Sequence, residues 1–139
     1  MKSFENTIMD VLGRGMSVRF HATGQSMLPA IRSGEHLHVS PVTRRSLRVG
    51  DIVLARSGGR LLAHRIVRIS AQSIITRGDN IFRPDAALSP SDILGHVTHI
   101  ERDGVTVAVP AAPRRIRLAA ARVRNRLIFS LSQLVRSVV

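Results

Sequence analysis

The chain has 139 residues, with 21 Lys and Arg against 9 Asp and Glu, a formal net charge of +12. Lys2 is the single lysine among those cations, the other twenty being arginines, and Cys, Trp and Tyr are absent. This length suits one domain with a real core, and the apolar fraction of 44% excludes a disordered basic tail. Without cysteine there is no disulfide, thiol nucleophile or thiolate-bound metal, and so few aromatics argue against single-strand nucleic-acid binding by base stacking.

Residues Met1 to Gly15 interleave charges with apolar residues and lack the unbroken apolar core of a signal peptide. Apolar residues at Phe4, Ile8, Met9, Val11 and Leu12 have helical spacing, with Ser3 as the expected cap and Gly13 and Gly15 as the stop. An N-terminal helix is therefore expected over 1–16. From Ser17 the texture changes to short β-type runs: Ser17–Ala22, His36–Ser40, Asp51–Arg56, Leu61–Ile69, Ser73–Arg77, Leu94–Glu101 and Val105–Val109. Ser57-Gly58-Gly59 and Asp103-Gly104 signal hairpins. The pattern predicts a mainly β fold, an antiparallel and partly barrel-like domain over 17–110. After Pro110-Ala111-Ala112-Pro113 a 3.6-residue apolar stripe, flanked by seven arginines, predicts a basic amphipathic helix over 113–139. No window reaches the roughly 18–20 apolar residues of a membrane span.

Five segments carry the chemistry. Gly24-Gln25-Ser26-Met27-Leu28-Pro29 places a serine on a glycine-preceded turn. It is followed by Val49-Gly50-Asp51-Ile52-Val53, by Ala63-His64-Arg65-Ile66-Val67, by Thr76-Arg77-Gly78-Asp79-Asn80, and by Asp85. A serine hydroxyl is a poor nucleophile until a base takes its proton during attack, and histidine can do so near neutrality. A carboxylate that holds the imidazole tautomer completes such a site. Asp79 and Asp85 are the two candidates. Asp85 is favoured because Asp79 can equally brace its own turn.

In order and residue type these motifs resemble the signal peptidase I family of serine peptidases, which shares its β fold with the LexA-type self-cleaving repressors. The resemblance implies Ser26 as nucleophile. Members with a lysine base have no counterpart here, because the only lysine is Lys2. The similarity is to the Ser–His branch, which implies His64 as base, supported by Asp85 and Asp79. It also implies a substrate cleft near Gly24, Gln25, Met27 and Pro29, lined by Leu28, Ile31 and Leu37, gripping an extended peptide with small residues before the cut. One departure stands out: many members have a hydroxyl residue two positions before the nucleophile, where this chain has Gly24.

The implied activity is that of a serine endopeptidase processing a peptide or protein precursor, with no cofactor. An alternative is a peptidase fold that holds peptide without cutting it. A basic nucleic-acid-associated protein is a third reading, with no recognisable DNA-reading motif to give it specificity. The expected location is cytoplasmic, with peripheral association through the C-terminal helix to an anionic lipid surface or a protein partner. His36 and His38, two apart on a strand, share a face and could ligate zinc, although a polar strand face suits them better. His96 and His99, three apart, are expected on opposite faces. Asp51 is expected to brace a turn.

Overall fold

The computed structural model describes residues 2–42 and 47–112. The expected C-terminal helix over 113–139 lies outside the described residues. The N-terminal helix, α1, runs Lys2–Gly13 and so already includes Ser3, which is not its cap. It stops in a Schellman arrangement: the Gly15 N–H bonds Leu12 O at 3.0 Å and the Met16 N–H bonds Val11 O at 3.2 Å. Gly15 takes φ +80°, the left-handed conformation that this motif asks of its C′ residue.

All seven expected strands form: β1 Val18–His21, β2 His36–Pro41, β3 Ile52–Ser57, β4 Arg60–Ile69, β5 Ile74–Arg77, β6 Ile93–Arg102 and β7 Val105–Ala108. Every pairing is antiparallel, in one sheet of order β1-β2-β6-β3-β4-β5. β7 pairs with the far end of β6, on the edge that β3 occupies nearer its start. The path is open at β1 and β5, so the sheet is not a closed barrel. Ser57 opposes Arg60 across Gly58-Gly59, whose φ values of +56° and +75° suit the tight turn that matches strand twist.

Alternation along the strands sorts the apolar residues into two cores. Leu37, Val39, Ile52, Leu54, Val97 and Ile100 pack with Ile8 and Leu12 of α1 and with Met27, Ala30 and Ile31. Val53, Ala55, Ile66, Ile69, Ile74 and Ile93 point to the other face and pack with Val42, Leu47 and Leu88. The helix thus shares a core with the sheet. Truncating one of these side chains, such as Leu54 at 1% exposure, costs roughly 2–5 kcal/mol.

Two expectations are corrected here. Ile31 and Leu37, expected to line a cleft, are 4% and 1% exposed and belong to the core under α1. His96 and His99 lie on one face of β6, not on opposite faces. His38 opposes His99 and Ser40 opposes His96, and the register shifts by one residue between them, at Thr98. That bulge adds a residue to β6 and cancels the alternation that a spacing of three implies.

Candidate active site

Ser26 lies between β1 and β2, in a turn whose later residues are buried. Leu28 N–H bonds Gln25 O at 3.3 Å and Ile31 N–H bonds Met27 O at 3.0 Å. Met27, Ala30 and Ile31 are 4–5% exposed and anchor that turn in the first core. Ser26 itself is half-buried, while Gly24, Gln25 and Pro29 are exposed beside it. Met27 is turned inward, and its Sδ accepts the Asp79 N–H at 3.3 Å.

His64 comes from the middle of β4, opposite Val53 of β3. Its ring is 5% exposed, and its Nε2 lies 3.1 Å from Ser26 Oγ. On the other side Nδ1 lies 2.6 Å from Asp85 Oδ2. An ionised carboxylate only accepts hydrogen bonds, so the contact with Asp85 keeps the ring proton on Nδ1. Nε2 is then the acceptor that faces the serine hydroxyl. Asp85 is itself held by Thr76 of β5. The Thr76 hydroxyl donates to Oδ2 at 2.7 Å, and the Asp85 N–H donates to Thr76 O at 2.8 Å.

Asp79 does not touch His64. Both of its oxygens face the next residue of β4, Arg65, whose Nε and Nη2 donate at 2.9 and 2.8 Å. The side chains of this pair are only 1% and 2% exposed. The remaining nitrogen, Nη1, donates to Gly50 O at 2.8 Å and to Pro110 O at 3.2 Å. Adjacent strand residues point to opposite faces, so His64 and Arg65 leave β4 in opposite directions. A buried guanidinium is costly unless it is bonded, and here two oxygens of one carboxylate and two carbonyls take four of its five donors. Asp79 is thereby a brace of the Gly78-Asp79-Asn80 loop.

That loop sits directly on the serine turn. Asn80 N–H bonds Ser26 O at 2.8 Å, and Asn80 Nδ2 bonds Gln25 O at 3.1 Å. Gly78 approaches so closely that a Cβ there would meet Ser26 O at 2.5 Å. Asp51 braces a separate turn: its Oδ2 accepts the Arg48 N–H at 3.0 Å, and its carbonyl accepts the Ile66 N–H at 2.8 Å.

The spacing of the motifs left Thr76, Arg65 and Gly78 without a role, although each lies inside a quoted segment. Thr76 carried a weak signal, as a hydroxyl at the same strand parity as the core residue Ile74. Nothing in the sequence set Arg65 apart from Arg60 and Arg68 of the same strand.

Four other histidines, His21, His36, His38 and His99, form a polar face on β1, β2 and β6, whereas His96 is buried opposite Val53. The rings of His21 and His36 lie 3.8 Å apart, and those of His38 and His99 stack at 3.9 Å. His38 Nε2 lies 2.7 Å from Glu101 Oε2, and Arg19 grips the same carboxylate through Nε at 2.5 Å. The Arg19 hydrogen bond, and after it that from His38, holds the Glu101 carboxyl down at about 2. Partial burial, then the charges of Arg19 and His21, push His36 below its ordinary value.

A half-buried serine, an imidazole and a pinned carboxylate are thus joined in one hydrogen-bonded line on an antiparallel sheet. The chain belongs to the Peptidase S24-like family, whose model matches residues 9–98, a span that contains Ser26, His64, Asp79 and Asp85. Comparison with curated proteins finds no match. Among the described residues no helix is long and apolar enough to cross a membrane.

Proposed function

We propose that the chain is a serine endopeptidase of the signal-peptidase type, with Ser26 as nucleophile, His64 as general base and Asp85 as the carboxylate that orients it. The observation that carries this reading is the line Ser26 Oγ, His64 Nε2, His64 Nδ1, Asp85 Oδ2, with spans of 3.1 and 2.6 Å. Membership of a Peptidase S24-like family supports a hydrolase of this kind. A histidine facing the serine supports the Ser–His branch over one with a lysine base.

In the reaction Ser26 Oγ attacks the scissile carbonyl carbon while its proton passes to Nε2. Asp85 stabilises the imidazolium that results. The tetrahedral intermediate collapses as Nε2 returns the proton to the departing amine, the C–N bond breaks, and an acyl-enzyme on Ser26 remains. Water then attacks the ester carbonyl, giving its proton to Nε2, and Ser26 leaves as the restored hydroxyl. The oxyanion is stabilised by the backbone N–H of Ser26 and a second donor.

Gly24 favours one further reading. It places no side-chain donor two residues before Ser26, and losing one oxyanion donor typically costs about 10²–10³ in rate. On that reading the fold holds a peptide without cutting it. Mass spectrometry of candidate precursors incubated with wild type, S26A and H64A separates the two. Cleavage by wild type alone supports the peptidase. Equal processing by all three, or a wild-type serine that an active-site fluorophosphonate never labels, removes it.

A further inference from the structure

We propose that Thr76 is a positioning residue for His64, acting through Asp85; the inference rests on the peptidase reading above. Thr76 is 1% exposed and shares its strand face with Ile74, at 0%. A valine would fill the same space. A hydroxyl at such a site is costly to bury unless it is bonded, and the bond it makes goes to one atom, Asp85 Oδ2, at 2.7 Å.

That atom is also the one that meets His64. A carboxylate oxygen offers two lone-pair directions in its plane. With Thr76 Oγ1 on one, the His64 Nδ1–H is left the other, at 2.6 Å. The hydroxyl therefore selects the direction from which the imidazole is held, and with it where Nε2 points.

Asp85 sits on the irregular segment between β5 and the short helical turn at Pro90–Asp92. Its own backbone N–H returns to Thr76 O at 2.8 Å, so residue and side chain are tied to the same strand position. Thr76 in turn opposes Ile66, two residues along β4 from His64. The pairing of two strands thus locates both partners of the Nδ1–Oδ2 bond. Without the hydroxyl, the carboxylate keeps only its backbone tie and its bond to the ring, and can rotate.

The test measures fluorophosphonate labelling of Ser26 in wild type, T76V and T76S, resolved into a maximal rate and a half-saturating concentration, alongside the low-field His64 Nδ1–H proton in the NMR spectrum. A hydrogen bond to a charged group has a strength equivalent to roughly tenfold or more in rate. T76V should therefore lose about tenfold in maximal rate with its half-saturation unchanged, and its Nδ1–H resonance should move or broaden. T76S, which keeps the hydroxyl and loses a core methyl, should label within about twofold of wild type. Wild-type labelling and an unmoved proton in T76V would overturn the proposal, as would T76S behaving like T76V. If T76V does not fold, T76A carries the same expectation. Should the wild type itself resist the probe, the peptidase reading fails, and the Nδ1–H signal alone decides whether Thr76 positions the ring.

Discussion

Replacing Gly78 with alanine tests whether the Gly-Asp-Asn loop sets the position of the nucleophile. The new Cβ would stand 2.5 Å from the carbonyl oxygen of Ser26, with the Ile81 side chain a further obstacle at 3.0 Å. An ordinary carbon–oxygen contact needs about 3.4 Å, so the two segments must part by roughly 0.9 Å. The obstacle is backbone on the serine side, and it cannot swing away as a flexible side chain would. Ser26 is also tied to this loop through the Asn80 N–H at 2.8 Å, so the displacement either breaks that bond or carries the serine with it. Overpacking of this kind costs about 1–3 kcal/mol, which a folded domain survives. A misplacement approaching 1 Å can cost about 10²-fold in rate. G78A should therefore show a cooperative thermal transition a few degrees lower, by roughly 3–9 °C, and fluorophosphonate labelling of Ser26 slower by about 10². Labelling at the wild-type rate in folded G78A would refute the idea that this contact places the serine.

The two aspartates should separate cleanly. D79A strands a guanidinium in the interior and should lower stability by about 3 kcal/mol or more, read from the urea midpoint. D85N should keep its midpoint near that of wild type while labelling falls by about 10²–10⁴, because the amide can donate to Nδ1 and so hold the ring proton on Nε2. A D85N protein that labels normally, or a D79A protein as stable as wild type, would reverse these roles. Glu101 predicts a pH dependence. Its folded value of about 2 lies below the ordinary 4.5, so its pairing stabilises the fold above about pH 4.5 and is lost as pH falls from there toward 2. The melting temperature of wild type should fall more over that window than that of E101Q, and parallel curves would contradict this. S26A should abolish labelling with no loss of melting temperature, since Ser26 is half-buried and its hydroxyl is not a core contact.

What the order of residues determines by itself is mostly local. Strand runs, turn glycines and the helix stop are written in dihedral preference and alternation over a few residues, and β1 to β7 and α1 form where those signals lie. Ser26, His64 and the two candidate aspartates were also legible, because each occupies a motif of recognisable type and order. Which carboxylate reaches the imidazole was legible only as a preference for Asp85, from the turn that Asp79 can brace. Asp79 and Asp85 are six apart on one irregular segment, and only the packing of β4 against β5 turns one toward Arg65 and the other toward His64. The burial of Ile31 and Leu37 under α1 depends on a contact between distant segments. The common face of His96 and His99 depends on a bulge in β6. A one-residue shift of register moves a side chain to the other face of a sheet, and register is a property of two strands. The sequence of either strand alone does not contain it.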